Sequence, residues 1–258
     1  MPRYSQGYGG YQFDIGSYFP PGIKAICIAC GAVFLLQQGI LLFAGATAWG
    51  AFNHWFGLVP YAVTHGYIWQ PFTYIFLHND ILHILINLLF LCMFGSGIEH
   101  SWGTRRFLNY FFICGVGAGI VNVIVKTILD PHGRGSATIP TIGASGAIYG
   151  ILLAAAIVMP YARVLVFFVV AVPMRIFVIA MGAIEFFSTF GRSGDDISHV
   201  CHLGGMLVGY LYLRRGSFLY NFRNLFSDWR RRRLKKKFDV YVRDHQDHPP
   251  SRPDNWIN

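Results

Sequence analysis

Ile197-Ser198-His199-Val200-Cys201-His202-Leu203-Gly204-Gly205-Met206-Leu207-Val208-Gly209 is an apolar run that carries two imidazoles and a stripe of glycines. Extended to Leu213 it has the length and hydrophobicity of a short membrane helix, and an ionisable side chain inside such a helix is a functional candidate by default. On a helix, positions 202, 205 and 209 share one face. A second apolar run opens Gly143-Ala144-Ser145-Gly146 and continues to Met159, with Gly146 and Gly150 on a face beside Ser145. Both runs therefore carry Gly-x-x-x-Gly, the spacing that lets membrane helices meet backbone to backbone. If the two stripes pack, Ser145 and His202 meet at the ends of their helices.

The remainder of the chain has the same character. Over 258 residues it is 54% hydrophobic and only 13% charged, more apolar surface than a soluble domain can hide. The expected fold is all-α, a polytopic membrane protein built as a six-transmembrane-helix bundle. Spans are expected near Ile23 to Ala46, Ile81 to Ile98, Phe107 to Leu129, Ser145 to Met159, Ile176 to Phe190 and Ile197 to Leu213, since a bilayer core needs about 20 apolar residues. Reading 164 to 190 as one helix would bury a proline and an unpaired arginine, so a break is placed at Pro173 with Arg175 at the interface. The chain divides into a polar segment, 1–22, a membrane core, 23–214, and a basic tail, 215–258, whose end from His245 reads as disordered. The polar start fits an anchor at the first span better than a removed leader. No internal repeat of the kind that builds transporters is evident.

Charge sets the orientation. Arg105 and Arg106, Arg163 and Arg175, and Arg214 with the tail all fall on one side, which predicts both termini in the cytoplasm; Lys126 and Arg134 are exceptions. The net charge of +9 comes largely from the run Arg230 to Lys237, which suits anionic lipid rather than nucleic acid. Short tails and the lack of a glycosylation sequon favour a prokaryotic plasma membrane. Cys27, Cys30, Cys92, Cys114 and Cys201 all lie in or beside apolar runs and read as packing or lipid-facing thiols rather than a disulfide or zinc framework.

Ser145 opens its helix, where free N–H groups and the helix dipole favour negative charge, so it is either a nucleophile beside an oxyanion site or a plain N-cap. His202 in the partner run is the base it would need. His83 and Asn87, four apart in Phe76-Leu77-His78-Asn79-Asp80-Ile81-Leu82-His83-Ile84-Leu85-Ile86-Asn87, are candidate oxyanion donors; His78 and Gly143 are accessory candidates. Glu185 is read first as a bond between helices, with orientation of His202 as the alternative. His199-x-x-His202 has metal-ligand spacing but no accompanying carboxylate, so no metal or other cofactor is expected. Glu99 is read as pairing with Arg105 and Arg106. Rival readings remain a proton or solute path through these polar groups and a client-binding protein without catalysis.

From about Trp69 to Arg214 the sequence resembles the rhomboid family of intramembrane serine proteases. The matching pieces are Trp69-Gln70-Pro71-Phe72-Thr73 leading to Phe76-Leu77-His78, His83 with Asn87, Glu99 through Gly103 to Arg105-Arg106, Gly143-Ala144-Ser145-Gly146, and His202-Leu203-Gly204-Gly205 with Gly209. Gln70 stands where many members have arginine. The resemblance implies a Ser145–His202 dyad with no required acid, oxyanion donation by His83, Asn87 and the Ser145 N–H, and cleavage of transmembrane protein substrates after a small residue. Membrane lipids are the other expected partner, and nucleic acid is not one.

Overall fold

A computed structural model describes residues 19–166, 169–189 and 199–214. Helix α1 (Pro21–Phe56) starts on a proline, whose missing N–H costs nothing in a first turn. The next two N–H groups, Gly22 and Ile23, donate to the two oxygens of Glu99 at 2.7 and 2.9 Å, and the Thr104 hydroxyl adds a third bond at 2.7 Å. Glu99 is buried. It therefore caps α1 rather than pairing with Arg105 and Arg106 as expected; a carboxylate at a helix N-terminus answers both free donors and the dipole. Backbone regularity fails once, at Gly45 (φ 82°, ψ 175°), a kink beside the expected end at Ala46, but the helix does not stop there. It continues to Phe56.

The first loop is folded rather than open. It holds α2 (Pro60–Thr64), α3 (Gln70–Thr73) and a 3-10 turn, Tyr74–Phe76. Gln70 organises it: fully buried, its side chain accepts from Val59 N–H at 2.9 Å and donates to the His54 carbonyl at 2.8 Å. Thr73 donates to the Phe56 carbonyl at 2.6 Å. A neutral amide thus satisfies this turn. Leu58 pairs both backbone groups with Thr141, at 2.9 Å each way, tying the loop to the segment that precedes Ser145.

Helices α4 (Ile81–Trp102) and α5 (Thr104–Leu129), with α1, are long and apolar enough to cross a membrane by length and composition. Shorter and equally apolar, α6 (Ser145–Val158) packs against both α4 and α5 and is buried from Gly146 to Leu152. Outward faces are apolar: Phe43, Leu42, Ile128 and Phe187 all exceed 70% exposure, the reverse of a soluble surface. The protein is a polytopic membrane bundle of helices whose solvent on these faces is lipid.

Between α6 and the next helix the helical bundle carries one short β-hairpin. Strands β1 (Arg163–Val166) and β2 (Val170–Pro173) pair antiparallel, with Arg163 opposite Pro173 and Val166 opposite Val170. Alternating β-branched valines favour the hairpin. Pro173 then ends it, and α7 (Met174–Ser188) begins at the break expected there. The last described helix, α8, covers 199–214. Asp195, Asp196, the start of the sixth stretch and the basic tail lie outside the described residues.

Candidate active site

Helices α6 and α8 run side by side in the same direction along their glycines. A Cβ on Gly205 would lie 1.9 Å from the Gly146 carbonyl oxygen, and one on Gly209 would lie 3.3 Å from the Gly150 Cα. No side chain larger than hydrogen fits there, which is the physical content of the spacing. At the open end of this seam His202 Nε2 stands 2.7 Å from Ser145 Oγ. Ser145 is the first helical residue of α6, after the cap Ala144, and its hydroxyl makes no cap bond. The N-cap alternative is therefore set aside.

The two side chains line a cavity of about 420 Å³ together with His83, Asn87, Gly143, Tyr149 and Met181. Asp80 caps α4 by accepting from His83 N–H at 2.8 Å, and the Asn79 N–H faces His83 Nδ1 at 3.4 Å. With Nδ1 as acceptor, Nε2 carries the proton and is a donor. That Nε2 is turned to Gly143, whose φ of 121° and lack of Cβ are both required, because a Cβ would sit 2.7 Å from it. Asn87 uses one amide hydrogen on the His83 carbonyl at 2.9 Å and keeps a second. His78 is not part of the lining. Its backbone N–H donates to Gln37 Oε1 at 3.0 Å, its Nδ1 faces the Phe76 carbonyl at 3.2 Å, and its ring stands edge-on to His83 at 5.1 Å. His78, the accessory candidate, thus stands behind His83 rather than in the lining.

Over residues 65–216 the chain matches the rhomboid domain, more than half its length. The chain belongs to the rhomboid family. It is 29% identical over 144 residues to rhomboid-like protease 3 of Toxoplasma gondii, covering 55% of this chain and 49% of that protein. Rhomboid protease GluP of Bacillus subtilis is 30% identical over 148 residues, 57% of this chain and 26% of that one. RHOMBOID-like protein 12, mitochondrial, of Arabidopsis thaliana is 26% identical over 234 residues, 83% and 67%. The chain thus spans about half the length of the first of these relatives and a quarter of GluP. Membrane residence follows from the family; the prokaryotic plasma membrane does not, since relatives include a protein named as mitochondrial.

At this rhomboid site the sequence reading missed Tyr149 and left Glu185 between two roles. The Tyr149 ring stacks on His202, centroids 4.4 Å apart and planes 9° apart, and its hydroxyl donates to Glu185 Oε1. Its signal was the i+4 spacing from Ser145, which sets both on one face. Glu185, reaching in from α7, places Oε2 2.6 Å from His199 Nδ1 and 3.1 Å from His202 Nδ1. The carboxylate that the sequence lacked beside His199-x-x-His202 therefore comes from another helix, and the three ligand-type atoms lie within 4.8 Å of one another. Among the described residues these are the ones that could hold a metal ion. Ligands around tetrahedral zinc sit about 3.3 Å apart, given zinc–nitrogen bonds of about 2.0 Å. The 2.6 Å contact is closer than that and is a hydrogen bond.

Proposed function

We propose that this rhomboid protein is an intramembrane serine endopeptidase in which Ser145 is the nucleophile and His202 the general base. The observation that carries the reading is the 2.7 Å contact of His202 Nε2 with Ser145 Oγ, made inside a cavity that also presents His83 and Asn87. His202 Nε2 takes the hydroxyl proton as Oγ bonds to the substrate carbonyl carbon. The carbonyl oxygen gains negative charge at the start of α6, where the Ser145 N–H, His83 Nε2–H and the second Asn87 amide hydrogen donate to it. The carbon–nitrogen bond breaks as His202 returns the proton to the leaving amine. Water entering the cavity then repeats the sequence on the acyl-serine and releases the acid.

Substrates on this reading are membrane-spanning segments of other proteins, opened locally near the cavity because a helix keeps its carbonyls bonded. The six apolar stretches form six spans with both termini in the cytoplasm, and the basic tail meets anionic lipid. The test uses the full chain in liposomes with a model transmembrane substrate, alongside labelling by a fluorophosphonate. Ser145→Ala and His202→Ala are expected to lower cleavage by about 10³-fold or more and to abolish labelling. Cleavage equal to wild type in either variant overturns the reading.

A further inference from the structure

The family resemblance implies a dyad, yet this chain sets a third group behind the imidazole. His202 Nδ1 is buried and has no hydrogen-bond partner in good alignment. A buried ring N–H without a partner is unfavourable, so an acceptor is expected close by. The nearest acceptor is Glu185 Oε2 at 3.1 Å, an ion-pair distance. We propose that Glu185 is a positioning residue for His202, holding its proton on Nδ1 so that Nε2 stays the acceptor facing Ser145, and stabilising the imidazolium that forms when Ser145 attacks. The proposal rests on the Ser145–His202 reading and deepens it.

Two neighbours fix Glu185 for this role. Tyr149 donates to Oε1 and stacks its ring on His202, so one residue sets the position of both partners. His199 donates from Nδ1 to Oε2 at 2.6 Å and shares that oxygen with His202. A carboxylate receiving several donors acts as acceptor only, which requires His202 Nδ1 to carry hydrogen. Among the described residues the same cavity also presents His83, Asp80 and Cys201. The short step from 3.1 Å to an aligned bond is within the tightening that catalytic contacts undergo on substrate binding. His199 holds part of the carboxylate's capacity, so it tempers the pair.

The experiment measures kcat, KM and the pH profile of kcat/KM on the reconstituted full chain, with unfolding temperature recorded in parallel. For Glu185→Gln the expected result is kcat lower by about 10²- to 10⁴-fold, KM little changed, and the acid limb moved to lower pH, because the negative charge that favours imidazolium is gone. An acid limb that stays in place, whether kcat holds or falls together with the unfolding temperature, makes Glu185 a bond between helices and overturns the proposal. Should Glu185→Gln not fold, His199→Phe carries the test. It frees Oε2 for His202, so the acid limb moves to higher pH; an unmoved limb overturns the proposal. Ser145→Ala run beside these separates the two readings: if it cleaves like wild type the dyad itself fails, whereas inactive Ser145→Ala with unaltered Glu185→Gln rejects the role of Glu185 alone.

Discussion

At Gly205 a single methyl group would meet the backbone of the neighbouring helix at 1.9 Å, and a backbone cannot swing aside as a long side chain can. Gly205→Ala is therefore expected to lower stability by about 3 kcal/mol, the upper end of the overpacking range, and to part His202 from Ser145. Unfolding temperature and cleavage should fall together. Gly31→Ala is the control: nothing lies within 4 Å of its Cβ, and alanine suits a helix better than glycine. If Gly205→Ala behaves like Gly31→Ala, the seam is looser than its geometry implies. The pair at the seam was legible in the sequence because helical spacing is arithmetic: Gly146 and Gly150 on one run and His202, Gly205 and Gly209 on the other define faces without further information. Glu185 was only half legible. Its presence in an apolar helix marked it, but whether it faced His202 depends on the rotation of α7 against α6 and α8, which local spacing does not encode.

Helix ends and loop supports decide where those faces point. Glu99→Gln keeps the shape of the α1 cap but leaves one oxygen for two N–H donors, so an unmet buried donor should cost about 1–3 kcal/mol, read as a lower unfolding temperature. An unchanged temperature would show that the cap is dispensable. The sequence suggested Arg105 and Arg106 for Glu99 because they are near in the chain; Gly22 and Ile23 are far in sequence and met it through folding. Long apolar elements were readable for the opposite reason, since their signal is local, while the folded first loop, with Leu58, Val59 and Ile75 buried, has no periodic pattern to betray it. In that loop, burial, with His83 beside it, pushes the His78 imidazole down from 6.5 to about 3. The folded value is below the unfolded one, so the unfolded chain takes the proton first as pH falls. The His78 contribution is then complete above pH 6.5 and drains as pH falls toward 3. His78→Leu should flatten the decline of unfolding temperature below pH 6.5; a decline parallel to wild type would place the acid sensitivity elsewhere.

Across the whole molecule, charge and connection agree on two ends. Glu99, near the end of α4, meets the start of α1, and the end of α6 lies beside Gly97, where a Cβ would touch Met159. Arg105, Arg106, Arg163 and Arg175 belong to this end, by chain connection from α4 and α6. Asp80, Asp130 and the starts of α4 and α6 belong to the other, which carries the Ser145 cavity. Lys126 and Arg134, the exceptions to the charge rule, lie toward the cavity end, where Lys126 donates to the Thr141 hydroxyl at 3.4 Å. Lys126 is thus committed to an internal bond rather than free to act as a topology signal. Asp130 lies just beyond the same helix: its carboxylate accepts from the backbone N–H groups of Arg134, Ala137 and Gly135, bonds that hold its pKa below the usual carboxylate range. The orientation predicts that an impermeant thiol reagent added to intact cells modifies His132→Cys beside Asp130, while Ser101→Cys at the basic end reacts only after the membrane is opened. Background should be low, because all five native thiols sit within helices. Inverted accessibility would reverse the orientation and put the Ser145 cavity on the cytoplasmic side. Equal labelling of both positions in sealed cells would mean that the ends of α5 do not face opposite aqueous phases, and the span that carries the wall behind Ser145 would have to be redrawn.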